Sequence, residues 1–248
     1  MRVFLGPKDI LKRSATELRF KLDSEAAKHL TKVLRIAPGD SLTAVLPDVV
    51  ITGEILAISR PEFSLRIQHV HPPVPDAPHI TLIQCLPKQD KMGEILRAST
   101  EVGASAFVPA LSQRCVSRPQ DMGGKLERWR SIVKSAAAQS QRDALPHLHP
   151  LATLSELPDF VQNADLKLVC WEEESTQGWK TVLDHHTGPT QSVSLIIGPE
   201  GGLDAQEIEG LRQLGFQSVK LTMPILRVEH AAVVALAQLK LALELRNG

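Results

Sequence analysis

Residues 195–216 read LIIGPEGGLDAQEIEGLRQLGF. Extended backwards to Ser192, the run SVSLIIG is apolar without a helical rhythm, the pattern of a strand buried on both faces. It passes into Gly198-Pro199-Glu200-Gly201-Gly202, and a helix is predicted to open with Asp204 as its N-cap. Glu207 stands three residues later, at capping-box spacing. A buried strand, a glycine turn and a helix make half of a βαβ unit, so the expected class is α/β with a mainly parallel sheet. Glycines at a strand's C-terminal edge let backbone groups approach a ligand with no Cβ in the way, and that edge is where parallel sheets bind ligands. A tight strand-to-helix turn explains the same glycines equally well. No G-x-G-x-x-G pattern and no Gly-Lys-Ser/Thr is present, which excludes a dinucleotide or a nucleoside triphosphate as the natural ligand.

The same rhythm extends outward. Strands are predicted at 79–86, 106–111, 166–171 and 218–221, and helices at 91–103, 123–142, 176–186, 204–215 and 228–245. The stretch HPPVPDAP, 71–78, can join neither a helix nor a central strand and reads as a linker. Before it, short strands are predicted at 2–5, 17–22, 41–46, 49–58 and 63–70. One helix interrupts them, with Ser24 as its expected N-cap and a turn at Pro38-Gly39-Asp40. Short strands so closely spaced suggest a small β-barrel.

Composition narrows the function. Hydrophobic residues at 43% and charged residues at 23% exclude a disordered or polybasic chain. No apolar run is long enough to span a membrane, and the charged N-terminus does not read as a signal peptide. Cys85, Cys115 and Cys170 are far apart and odd in number, which argues against a disulfide framework and fits a reducing cytoplasm. His69/His71 and His147/His149 are His-x-His pairs, but no third ligand accompanies them and no metal is expected. Without tyrosine and with few other aromatics, a base-stacking sheet of the RRM type is disfavoured.

Two further segments carry chemistry. In LTMPILRVEHAAVVALAQL, 221–239, Arg227 and Glu229 flank a helix start one turn from the presumed ligand loop. The helix 123–142 ends in Ala138-Gln139-Ser140-Gln141-Arg142, which alone reads as a polar helix end. Taken in order, Lys88-Gln89-Asp90-Lys91-Met92, Thr100-Glu101-Val102-Gly103, Arg128-Trp129, Gln139-Ser140-x-Arg142, GPEGG and Ile225-Leu226-Arg227 resemble the RsmE family. His29-Leu30-x-x-Val33-Leu34-Arg35 with Gly39-Asp40 is similar to that family's opening domain.

The resemblance implies a SPOUT-type domain, a trefoil-knotted parallel sheet over 79–248, with a small PUA-like β-barrel over 1–72 and a Pro-rich linker at 73–78. It implies an S-adenosylmethionine-dependent methyltransferase acting on N3 of a uridine in 16S ribosomal RNA of the small subunit, and a homodimer formed through the knotted domain. The implied cofactor-binding residues are Trp171, Glu172, Ile197, Gly198, Glu200, Gly201, Gly202, Leu221, Ile225 and Leu226. Arg35, Lys88, Lys91, Arg114, Gln139 and Arg142 are the implied RNA contacts. Arg227 is expected to stabilise charge on the uracil anion, with Glu229 or His230 assisting proton removal. The chain departs from the family pattern at Thr222, Pro224 and His230, which stand in place of glycine, arginine and threonine. Two alternatives remain: another SPOUT RNA methylation, such as that of the ribose 2′-oxygen, or a non-catalytic RNA-binding assembly factor.

The formal net charge of zero hides a segregated distribution. Residues 1–70 carry 11 Lys+Arg against 8 Asp+Glu, residues 80–150 carry 10 against 6, and residues 151–248 carry 7 against 13. A phosphate backbone is therefore expected to favour the first 150 residues.

Overall fold

The computed structural model describes residues 1–118, 122–221 and 223–247. The chain forms two compact units, Met1–Pro75 with Ala137–Leu145, and Asp76–Ala136 with Pro146–Gly248.

The first unit is built on β1 (Arg2–Phe4), β2 (Ile10–Arg13), β3 (Glu17–Lys21), β4 (Ser41–Val45), β5 (Val50–Ser59) and β6 (Glu62–His71), in the order β1-β4-β5-β6-β3-β2. Strand β3 alternates Glu-Leu-Arg-Phe-Lys, which turns Leu18 and Phe20 into the core. Phe20 stacks on Phe63 of β6 at 5.6 Å, and burying each ring contributes about 2–3 kcal/mol relative to exposure. Gly53 is required in β5: a Cβ there would overlap the Arg66 carbonyl oxygen, where the ladder with β6 shifts register.

The helix α1 (Ser24–Lys28) is capped by Asp23 rather than by the expected Ser24. Asp23 Oδ1 accepts the Ala26 N–H at 2.8 Å, which places Ser24 inside the first turn. A π-turn over His29–Val33 continues it, closed by Leu34 N–H donating to the His29 carbonyl, and it ends at Arg35 with φ +53°. Strand β2 was not anticipated, because Ile-Leu-Lys-Arg shows no alternation. Ala137 and Ala138 pack against Phe4, Val45 and Val50, and Arg2 pairs with Asp143, so the segment 137–145 belongs to this unit.

In the second unit, β7 (His79–Cys85), β8 (Ala106–Leu111), β9 (His147–Leu148), β10 (Ala152–Thr153), β11 (Leu166–Cys170), β12 (Ser192–Ile197) and β13 (Gln217–Val219) form a sheet ordered β10-β8-β7-β12-β11-β13, with β9 beside β8. Every pairing in it is parallel. The helices are α2 (Met92–Val102), α3 (Gly123–Gln139), α4 (Pro158–Val161), α5 (Trp179–His185), α6 (Ala205–Gln213) and α7 (Val228–Asn247). Gly103 ends α2 in the left-handed conformation at φ +102°, and Lys240 of α7 donates to the Val102 carbonyl at 3.3 Å. The two-residue strands and α4 were not anticipated; they are too short to show a period. Among the described residues no helix is long and apolar enough to cross a membrane.

Candidate active site

Parallel pairing brings the strand ends into one row. Ala110 of β8 lies opposite Cys85, Gln84 of β7 opposite Ile197, Ile197 of β12 opposite Cys170, and Cys170 of β11 opposite Val219 of β13. The loops that leave this row begin at 86, 112, 171, 198 and 220, so five distant segments of sequence share one edge.

The glycine loop 198–203 is the centre of that edge. Asp204 caps α6 as the sequence predicts, with Oδ1 accepting the Glu207 N–H at 2.8 Å and Glu207 Oε2 accepting the Asp204 N–H at 3.0 Å. The other oxygen of Glu207 accepts the Gln113 N–H at 2.7 Å, and Arg114 Nη1 donates to the Gly201 carbonyl at 2.9 Å. The 112–118 loop is thereby fastened to the glycine loop. On the opposite side, Glu200 accepts the Lys88 N–H at 2.9 and 3.1 Å. Gly202 has φ +68°, and a Cβ on it would overlap Glu172 Oε1.

The loop after β11 is organised by Glu174. Its Oε1 accepts from Thr176 N–H, Thr176 Oγ1 and Gln177 N–H at 2.9, 2.8 and 3.1 Å, and its Oε2 accepts from Ser218 Oγ at 2.5 Å. Burial works against the charge, yet the hydrogen bonds, led by Ser218, hold the carboxyl down at about 2. Gln177 then accepts the Lys220 N–H at 2.8 Å, which ties this loop to the one after β13. Trp171 lies under Arg212, whose guanidinium carbon is 5.7 Å from the ring centroid.

Two buried polar atoms at this edge have no hydrogen-bond partner among the described residues, Gln84 Oε1 and Trp171 Nε1. Gln84 is wholly buried and its amide nitrogen donates to the Cys85 and Ile197 carbonyls at 2.9 and 3.5 Å. A buried unpaired acceptor and a buried unpaired donor beside a glycine cradle are what a polar ligand would satisfy.

The loop after β13 leads into α7. Ile225 is 93% exposed, Leu226 is half-buried, and the Arg227 side chain is exposed while its carbonyl accepts the His230 and Ala231 N–H groups at 3.0 and 2.9 Å. Glu229 is buried and pairs with Lys91 at 3.1 Å. Pro224 and His230 are exposed, and Thr222 lies outside the described residues.

Trp171, Glu172, Ile197, Gly198, Glu200, Gly201, Gly202 and Leu221 therefore all lie on or next to one sheet edge, with Lys88, Lys91 and Arg114 on adjoining loops. Arg35, Gln139 and Arg142 belong instead to the first unit. There Arg35 and Gln139 are exposed and Arg142 is buried. Among the described residues no three His, Cys, Asp or Glu side chains converge as a metal site would require. Sequence reasoning missed Gln84, Glu174 and Ser218. Glu174 is one of three consecutive glutamates, and nothing in the run 172–174 distinguishes the one that turns inward.

Comparison with known proteins finds two matching families along the chain. Residues 75–240 match the family model of the RNA methyltransferase domain, and residues 22–68 that of the RNA methyltransferase PUA domain. The ribosomal RNA small subunit methyltransferase E of Bacillus subtilis is 30% identical over 92% of this chain and 92% of its own length. That of Synechocystis is 33% identical over 98% of this chain and 78% of its own. Among solved structures, the Neisseria gonorrhoeae ribosomal RNA small subunit methyltransferase E bound to S-adenosyl methionine superposes with a TM-score of 0.81 at 28% identity, covering 97% of this chain and 96% of that one. A Legionella pneumophila protein in complex with the same cofactor gives 0.82 at 27% identity, covering 97% of each chain.

Proposed function

The chain belongs to the ribosomal RNA small subunit methyltransferase E family, and from that premise we propose that it transfers a methyl group from S-adenosylmethionine to N3 of a uridine in 16S ribosomal RNA. The observation that carries this reading is the row of strand ends, where a Cβ-free cradle lies beside the unpaired Gln84 Oε1 and Trp171 Nε1. These residues fit the cofactor. Gly198, Gly201 and Gly202 offer backbone, Ile197 and Leu221 offer apolar walls, and Gln84 and Trp171 offer an acceptor and a donor. When bound, the cofactor supplies an already activated sulfonium methyl.

The protein's own task is placement and charge. Acidic side chains at the edge, Glu172, Glu200 and Glu229, suit a cationic sulfonium. Uracil N3 must lose an imide proton, and negative charge then spreads to its carbonyl oxygens. Arg227, exposed at the start of α7 with no side-chain partner among the described residues, is the cation proposed to stabilise that charge. Glu229, held ionised, is a weak proton acceptor, so solvent or His230 is the better recipient of the proton. Residues 1–72 are proposed to hold RNA as a PUA-like barrel, with 73–78 as the linker and 79–248 as the knotted catalytic domain. Arg35 and Gln139 are exposed for an RNA contact. A homodimer in the cytoplasm completes the proposal; exposed Ile225, Leu241 and Leu245 of the second unit suit an apolar interface.

The test is incubation with labelled S-adenosylmethionine and small ribosomal subunits, followed by mapping of the modified nucleotide. A uridine methylated at N3 is expected. A methylated ribose would replace the reading with another SPOUT activity, and absence of cofactor binding by calorimetry would favour a non-catalytic RNA-binding factor.

A further inference from the structure

Lys91 stands at the N-terminal cap of α2, at the end of the loop that leaves β7. Its ammonium lies 3.4 Å from Glu200 Oε1 and 3.1 Å from Glu229 Oε2. Glu200 belongs to the glycine loop after β12, and Glu229 to the first turn of α7. The Lys88 N–H adds its own hydrogen bonds to the Glu200 carboxylate. Two segments more than a hundred residues further along the chain thus meet on the Lys91 side chain.

We infer that Lys91 is a positioning residue for methyl transfer, a clamp that holds the Glu200 and Glu229 carboxylates in place so that the glycine loop and the start of α7 stay docked around the cofactor. This rests on the S-adenosylmethionine-dependent reading above. It gives Lys91 a role other than the RNA phosphate contact expected from sequence, because an ammonium shared by two carboxylates offers a phosphate little net attraction.

The local charges agree. Glu229 faces Lys91 from α2 and His230 on its own helix, and Lys91 faces Glu200 from the glycine loop and Glu229 from α7. Neighbouring Asp90 is turned away, pairing with Arg128 at 2.6 Å. Glu229 is only 9% exposed, so loss of the ammonium would strand a nearly buried carboxylate. Its own backbone N–H, and then Lys91 acting against burial, hold the Glu229 carboxyl below its ordinary value, while Glu229 in turn raises Lys91. A group depressed in this way stays charged at neutral pH and takes up a proton only in acid. Removing Lys91 moves that protonation toward neutrality.

The test compares wild type, Lys91→Met and Lys91→Arg in three assays. These are cofactor affinity by calorimetry, the pH profile of kcat/KM on small subunits, and subunit binding against salt. Lys91→Met is expected to weaken cofactor binding about tenfold and to move the acidic limb of the profile to higher pH. Subunit binding and its salt slope should not change, and Lys91→Arg should restore both altered quantities. Weaker subunit binding with a salt slope reduced by about one, at unchanged cofactor affinity, would make Lys91 a phosphate contact and overturn the inference. Equal loss in both variants would reduce it to a packing role. If Lys91→Met does not fold, Glu200→Gln and Glu229→Gln each remove one arm of the clamp, and unchanged cofactor affinity in both refutes it. Carboxyl-carbon NMR of Glu229 in the protein without cofactor or RNA gives a readout independent of activity. A Glu229 titration that does not move in Lys91→Met sinks the clamp, whereas a wild type that binds no cofactor sinks the functional reading instead.

Discussion

Glu174→Ala is expected to destabilise the second unit by about 3 kcal/mol at neutral pH, because it strands the buried Ser218 hydroxyl at a cost of about 1–3 kcal/mol and removes the acceptor of the less buried Thr176 and Gln177 N–H groups. Proton linkage through the same hydrogen bonds leads to a similar size. The carboxyl is held at about 2 against an ordinary 4.5. At about 1.36 kcal/mol per pH unit that difference corresponds to about 3 kcal/mol. The folded value lies below the unfolded one, so the contribution is fully present above 4.5 and disappears as the pH falls through 2. Glu174→Gln keeps the shape and one acceptor oxygen but loses the charge, and should cost about 2–3 kcal/mol at neutral pH. All three tryptophans lie in the second unit, so fluorescence during urea unfolding reports on it. The pH-dependent part of the gap between wild type and Glu174→Gln should narrow by about 2 kcal/mol between pH 7 and pH 3. A loss below about 1 kcal/mol in Glu174→Ala, or a gap that ignores pH, would refute the assignment of Glu174 as the ionised hub of this loop.

Other outcomes follow from single contacts. Gly202→Ala should displace the flexible Glu172 side chain and strain the left-handed backbone, costing about 1–2 kcal/mol of stability and weakening cofactor binding in calorimetry. Gly53→Ala places its Cβ against the Arg66 carbonyl, which cannot swing aside, so thermal unfolding of the first unit should show a larger loss, about 2–3 kcal/mol. Arg227→Ala should lower single-turnover methyl transfer about a hundredfold while leaving cofactor affinity within a factor of two; equal loss of both would remove its role toward the uracil. Binding of subunits should weaken steeply between about 50 and 200 mM salt, and a flat response would count against a basic RNA-facing surface in the first 150 residues.

Much of this protein is legible one residue at a time. The apolar run 192–198 announces a doubly covered strand, the glycines after it announce a turn at a ligand edge, and Asp204 with Glu207 announces the helix, because each depends on local backbone preferences. The α1 cap shows the limit: Asp23 and Ser24 are both good caps, and only the observed backbone chooses between them. Likewise, the basic segment 80–150 suggests a single RNA-binding role, yet its members divide. Arg114 reaches the glycine loop, Lys91 is taken by two carboxylates, and Arg142 is buried in the other unit.

By itself, then, the sequence determined the class of each unit and the turn and capped helix that follow the strand 192–198, since those are set by periodicity and by what glycine permits. The tertiary structure alone decided which charges meet. Parallel pairing carries Gln84, Ile197, Cys170 and Val219 into one row, and so brings Lys91, Glu200 and Glu229 together across more than a hundred residues of chain. An ion pair depends on distance and burial in space, and neither is a property of position along the chain.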